Sequence, residues 1–342
     1  MSGGVTQLIS IGSQDMWITG DPQVSFFKSS YMRHTNFAQI VSRQIIQGAP
    51  NSGSVSTVRF EKKGDLMSHV FLTKKVSGSL DVFDPADIQY IDLLINGQVV
   101  DTQYSDFLFN VSDLLASTPN RAATSQDSVK FFPLHFWFCE SWQSALPMIN
   151  FVNSDVEIRI TWASNANVGT PVYECHANYI YLDDAERQSM KSNGSKKFLI
   201  YQVQRQPASG LAVQQLIFNN PVKFLVASSA IVTDPNALVK FQINGVDISD
   251  EKCYDQHYNA IPYYYNCYYN TGLITTGPGF LHTFCLDTSK IQPSGSVNFS
   301  RIDSARLTTS GGATFSFSDY IYAVSYNMLE VNNGIAGLMY CN

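Results

Sequence analysis

The chain has 342 residues, 44 % of them hydrophobic and only 15 % charged, with a formal net charge of −6. That length exceeds what one hydrophobic core usually serves, so two domains are expected. Low charge with 22 Phe and 18 Tyr excludes a disordered chain, and the acidic balance with scattered Lys and Arg excludes direct phosphate binding, so no nucleic-acid partner is expected.

In chain order, the first residues, MSGGVTQLISIGSQD, carry no basic region and no long apolar run, so no signal peptide is expected. No stretch reaches the roughly 20 apolar residues of a membrane span. Residues 1–15 are Gly-rich and nearly uncharged, which suits a flexible arm. Short β-type runs follow, broken by turn residues: VSTVRFEKK (55–63), HVFLTKKV (69–76), IQYIDLLI (88–95), VKFFPLHFWF (129–138), VEIRITWA (156–163) and HANYIYL (176–182). In VEIRITW the apolar Val156, Ile158, Ile160 and Trp162 alternate with Glu157, Arg159 and Thr161, which predicts a strand with one wet face. Helix signals are few. SDFLFNVSDLLAS (105–117) has helical apolar spacing, and LDDAERQSMKSNG (182–194) reads as a short exposed connector with acids first and a basic residue late.

The second half repeats the first in outline. Asn96-Gly97 and Asn244-Gly245 are the strongest hairpin signals in the chain, because both residues accept positive φ in a type I′ turn. Leu134-His135 pairs with Leu281-His282, and Tyr179-Ile180-Tyr181 with Tyr320-Ile321-Tyr322, at similar offsets and in the same order. This predicts two similar β-domains in tandem. Strands with long connections and few helices predict an all-β fold of two jelly-roll sandwiches. The expected division is an arm at 1–15, a first jelly roll at 16–185, a linker at 186–197 and a second jelly roll at 198–342.

Chemistry is sparse. P-loop, GxGxxG, HExxH and GxSxG patterns are absent. Cys253, His257 and Cys267 are the nearest approach to a metal pattern, but a structural zinc site wants four tightly paired ligands. The six cysteines read as buried, reduced thiols. No catalytic, cofactor or metal residues are expected. The run YNAIPYYYNCYYN (258–270), with Tyr263, Tyr264 and Tyr265, supports two readings. It is either an aromatic loop packed on a neighbouring subunit or a sugar-stacking loop of a carbohydrate-binding β-sandwich. Glycan binding, with a triple alanine variant of the three tyrosines as control, separates them.

Three stretches resemble one family. GSQDMWITGDPQVSFFKSSYMRHTNFA (12–38) resembles the amino-terminal signature of the double jelly-roll major capsid proteins of nucleocytoplasmic large DNA viruses, polinton-like viruses and virophages. QPSGSVNFSRIDSARL (292–307), with Arg301 and Asp303, resembles their late signature, and YNMLEVNNGIAGLMY (326–340) their carboxy-terminal end. The chain is shorter than many members, which implies compact outer loops. The resemblance implies a non-enzymatic homotrimer of six lobes that tiles an icosahedral virion shell and is made in the host cytoplasm or a viral factory. The partners implied are further copies of the chain, penton and minor capsid proteins, with an internal membrane as an open question. Phe26 and Phe27 are expected to anchor the amino-terminal segment under its own jelly roll or a neighbour's. Arg33 and His34 are expected to bond carbonyls or carboxylates there.

Overall fold

The computed structural model describes residues 3–26, 32–110, 112–115, 130–164, 171–191, 194–227, 231–267, 279–316 and 320–340. The chain divides into two compact units, residues 1–36 and 37–342. In the first unit, Gly3–Ile9 and Met16–Thr19 are short helices with no buried side chain.

The second unit is built from strands. Before residue 183 the principal ones are β1 (Phe37–Gln44), β2 (Val55–Arg59), β3 (Leu66–Val76), β4 (Ile88–Ile95), β5 (Gln98–Tyr104), β6 (Phe132–Pro133), β7 (Val156–Trp162) and β8 (Val172–Leu182). After it come β9 (Lys196–Pro207), β10 (Val213–Leu216), β11 (Pro221–Ala227), β12 (Leu238–Ile243), β13 (Val246–Asp247), β14 (Phe280–Thr283), β15 (Ala305–Thr309) and β16 (Tyr320–Asn332), with β17 (Ile335–Leu338) folded back on β16. Short pieces at 46–47, 79–81, 252–253 and 297–298 extend sheet edges.

The first half forms two antiparallel sheets, β1-β8-β3-β6 and β2-β7-β4-β5. The second half forms β9-β16-β11-β14 and β10-β15-β12-β13. Adding eight to every label of the first half reproduces the second. Each half is an eight-stranded Greek-key jelly roll, and the chain is a double jelly roll. Among the described residues no strand of one half pairs with a strand of the other. The helix Asp184–Lys191 runs between them without a buried side chain, and Arg187 ties it to the first roll by clasping both oxygens of Asp65.

Both Asn-Gly turns occupy the same place in their rolls, between β4 and β5 and between β12 and β13. Their φ angles are 53° and 76° in the first and 49° and 78° in the second, as a type I′ turn requires. Of the other two repeats, the Tyr-Ile-Tyr pair lies on matching strands but out of register, and Leu134-His135 falls just after β6 whereas Leu281-His282 lies within β14. Tyr179-Ile180-Tyr181 sits near the end of β8, whereas Tyr320-Ile321-Tyr322 begins β16. Leu134 bonds back to Val70 inside the first roll, while Leu281 lies opposite Val226 on a face turned out of its own roll's core.

In β7 Val156, Ile158, Ile160 and Trp162 are fully buried, as alternation predicts, but Thr161 is buried too. The predicted strand over 129–138 is a correction. Only Phe132–Pro133 pairs with β3, and the chain then turns into a helix at Trp137–Glu140. Pro133 has no N–H for a ladder, and an unbroken apolar run is read equally as strand or buried helix. Leu134, Phe136, Trp137 and Phe138 all enter the core. The tyrosine-rich loop is a second correction, because Gln256–Ala260 and Ile261–Asn266 are helical. Pro262 is tolerated in the first turn. Tyr254 and Tyr258, one turn apart, stack on each other and on Phe280 of β14. Residues 268–270 of that run, with Cys341, Asn193 and Phe27, lie outside the described residues.

Candidate functional site

One apolar cluster fills the first roll and continues onto the second roll, whose own interior is filled by a separate cluster. Alternation explains how one sheet serves both. On β11, Leu225 and Ala227 point into their own roll while Phe224 and Val226 point to the first; on β16, Ile321 and Ala323 oppose Tyr322 and Val324 in the same way. The sheet β9-β16-β11 is thus buried on both faces, and the first roll meets it with β5 and the segment after it.

Polar contacts fix this joint. Val203 N donates to Asp101 Oδ1 at 2.9 Å, Gln202 Nε2 to Val100 O, Tyr201 OH to His135 O at 3.2 Å, and Tyr322 OH to Asp106 Oδ2. The Arg205 guanidinium lies between two rings, 3.6 Å from the centroid of Tyr104 in the first roll and 4.2 Å from that of Tyr320 in the second. At the far end Ser154 Oγ donates to Gly334 O at 3.2 Å and accepts from Ala336 N at 2.8 Å. Beside the joint a cleft of about 360 Å³ is lined by residues of both rolls, among them Asp101, Tyr104 and Arg205. Burial pushes the Asp101 carboxyl up to about 7, against the pull of hydrogen bonds from Val203 and Gln103 and with Asp92 adding to the rise.

The corresponding sheet of the first roll faces the core on one side and carries a polar cluster on the other, where Glu174 and Asn178 are buried by their neighbours and Val41 and Arg43 are exposed. On β8, Tyr173, Cys175, Ala177 and Tyr179 enter the core, so Glu174, His176 and Asn178 look outward. Register places Arg43 of β1 and Phe71 of β3 on either side of His176. The Phe71 and His176 rings stack at 5.1 Å. Glu174 takes Lys75 at 2.7 Å, Arg43 at 3.2 Å and His176 at 3.6 Å, and the Lys75 hydrogen bond leads in holding its carboxyl below the ordinary range. Among the described residues β1 pairs with β8 alone, and Phe37, Ile40 and Val41 along it are each about half exposed. An edge strand of this kind is a template for another chain.

The residues singled out in the sequence do not form one cluster. Phe26 is 95 % exposed, Arg33 is exposed, and His34 Nδ1 donates to the Thr35 carbonyl at 2.9 Å. Tyr263 is buried at 1 % exposure, while Tyr264 and Tyr265 are exposed at 67 % and 74 % and touch edge to face. A sugar platform of three rings is therefore not formed. Arg301 and Asp303 are exposed, and the Asp303 and Ser304 amides both donate to Asn244 Oδ1 at 3.0 Å, so the late signature props the second Asn-Gly hairpin. The Cys253 and Cys267 thiols turn to the Pro235 and Pro262 carbonyls. Sequence reading missed Asp101, Arg205 and the Glu174 cluster, because only pairing in space brings their partners together.

Comparison with known proteins points one way. The family described as the N-terminus of the major capsid protein matches residues 25–193. The major capsid protein of Pyramimonas orientalis virus is 30 % identical and that of Paramecium bursaria Chlorella virus 1 is 27 % identical, each alignment covering the whole of both chains. Among solved structures, PBCV-1 VP54, a crystal structure fitted into a reconstruction of the virophage Sputnik, superposes with a TM-score of 0.75 at 24 % identity. That match covers 93 % of this chain and all of the other.

Proposed function

This chain belongs to the family of viral major capsid proteins, and we propose that three copies of it close into a ring of six jelly rolls that tiles an icosahedral shell. It is a major capsid protein of a large double-stranded DNA virus, and so a component of the virion. The observation that carries the proposal is the doubled strand order. One chain presents two lobes of the same topology, so a threefold ring presents six similar lobes to a hexagonal lattice. Shell building needs repeated contacts rather than a reacting centre, which agrees with a role other than catalysis. The sugar-binding alternative gains nothing from the comparisons and loses one of its three rings to the core.

Within this reading the lobes are residues 16–185 and 198–342, joined by 186–197, with residues 1–15 as an arm on the inner face. Phe26, Phe27, Arg33, His34, Tyr264, Tyr265, Arg301 and Asp303 then act between subunits or between capsomers, while Tyr263 acts inside the roll. Synthesis in the host cytoplasm or a viral factory, and contact with penton and minor capsid proteins, belong to the same proposal, as does any membrane beneath the shell.

The arm gives a direct test. Deleting residues 1–14 is expected to leave the capsomer intact, because no side chain of the helix Gly3–Ile9 is buried, and to lower the yield of closed shells at least tenfold. Light scattering on a sizing column reads the first, and electron microscopy of assembly reactions reads the second. Loss of the trimer in the deletion contradicts the assignment of the arm to shell closure.

A further inference from the structure

The turn that leads into the fourth strand of each roll is built twice. Asp84-Pro85-Ala86-Asp87 precedes β4, and Asp234-Pro235-Asn236-Ala237 precedes β12. In both, the carboxylate of the first Asp accepts from the amide two residues on at 2.9 Å. Its carbonyl accepts from the amide three residues on at 3.0 Å. The turns differ at their fourth residue. Ala237 is buried there as a methyl group and Asp87 as a carboxylate. The second roll makes the turn without an acid at that place, so the turn itself does not require one.

Asp87 faces an amine instead. Lys74 Nζ lies 2.7 Å from Asp87 Oδ2, and the two side chains are 10 % and 1 % exposed. Tyr173 OH donates to the same oxygen at 2.8 Å, and burial holds that hydroxyl protonated. The Tyr173 ring packs in turn on Phe83 and Trp162, so the surroundings are apolar. Ala163 N donates to the Asp87 carbonyl at 3.0 Å and fixes its backbone. Asp87 Oδ1 is buried and has no hydrogen-bond partner among the described residues. A nitrogen is thus held against a carboxyl group of which one oxygen is bonded and the other bare. Holding two reacting groups in this way removes most of the entropic barrier to their joining.

We infer that Lys74 and Asp87 join in an isopeptide bond after the chain has folded. Nζ bonds to Cγ with its lone pair, and the Cγ–Oδ1 bond breaks. Oδ2 stays as the amide oxygen and keeps the hydrogen bond from Tyr173. The oxygen without a partner is the one that leaves. It takes two protons from the former ammonium and departs as water. Ammonium plus carboxylate gives one secondary amide plus one water, with no oxidant, cofactor or other reactant. The step replaces two buried charges by an uncharged amide, which apolar surroundings favour. The freshly folded chain holds the ion pair and links with time. The bond ties β3, in one sheet of the first roll, to the residue before β4, in the other. It also closes a loop that unfolding does not open, which restricts the unfolded chain.

The mass of the intact, denatured full chain reads the bond. In the parent, a fraction that grows on incubation is expected to be lighter by one water than the sequence. Lys74→Arg keeps the positive charge but offers no amine, and it is expected to keep its full mass throughout. Trypsin is expected to leave residues 64–75 and 76–121 of the lighter fraction as one branched peptide, whose fragments place the link at Lys74 and Asp87. The parent measurement needs no variant to fold. A parent chain that keeps the full sequence mass in fresh and incubated samples overturns the inference, and so does a loss of water that maps to other residues.

Discussion

Replacing Lys74 with Met is expected to destabilise the protein by about 3–5 kcal/mol, because it strands a buried carboxylate. Lys74 on β3 reaches Asp87 with its ammonium 2.7 Å from Oδ2, and their side chains are 10 % and 1 % exposed. Tyr173 OH donates to the same oxygen at 2.8 Å, and Asp87 Oδ1 is buried with no hydrogen-bond partner. One hydroxyl does not offset the desolvation of an ion. The double variant Lys74→Met/Asp87→Leu is expected to regain most of the loss, since an apolar pair of similar volume is close to neutral in place of a buried ion pair. Its residual cost is that of a Tyr173 hydroxyl without its acceptor, about 1 kcal/mol. Denaturant unfolding of the parent, the single and the double variants measures all three. A single variant within about 1 kcal/mol of the parent contradicts the assigned role.

The contribution of Asp101 to stability is expected to fall as pH rises from about 4 to about 7, against an opposite contribution from His282, whose burial holds its folded imidazole at about 4. The folded Asp101 carboxyl titrates near 7, against an unfolded value of about 3.9. Between those values the folded chain holds a proton that the unfolded chain has lost. Protons bound in the unfolded state are then fewer than in the folded state, so the slope of this contribution with pH is negative. The contribution is fully present below the unfolded value and is lost by the time pH passes the folded one, at about 1.4 kcal/mol per unit in between. Asp101→Asn is expected to make the slope across this window more positive than the parent's, because the opposing contribution of His282 then stands alone, while leaving the slope below pH 4 unchanged. Its oxygen still accepts from Val203 N, so the joint between the rolls keeps that bond. Unfolding midpoints taken every half unit read the slope, and an equal slope in parent and variant contradicts the assignment.

Much of the fold was legible because turn chemistry is local. Asn96-Gly97 and Asn244-Gly245 each specify positive φ at two successive residues, and both open the same hairpin in their rolls. Alternation placed β7 because one face of that strand meets the core. The Tyr-Ile-Tyr repeat was right about the strand and wrong about the register, and Leu134-His135 falls just past its strand, since two or three residues do not encode which residue faces which partner. The apolar run at 129–138 misled for a related reason. A segment buried all round has no period to read, and it was split between two strand residues and a helix. Tyr254 and Tyr258 carried a helical spacing that the density of tyrosines obscured.

The functional surfaces were harder to see. Phe26 and the signature around it are legible only as a resemblance, because no period or turn rule marks an exposed anchor. Asp101 and Arg205 lie on different rolls, and each alone reads as an ordinary polar residue of a strand. Their meaning arises when β5 and β9 meet. The same holds for Arg43, Lys75 and Glu174, which come from three strands that only register brings together.

The native mass of the purified chain tests the central claim most directly. The monomer is 38.1 kDa, and three copies make 3 × 38.1, about 114 kDa. A single species of about 114 kDa by light scattering on a sizing column, with six lobes in electron micrographs, is the predicted result. A monodisperse species of 38.1 kDa at high concentration contradicts a chain that closes into rings by itself.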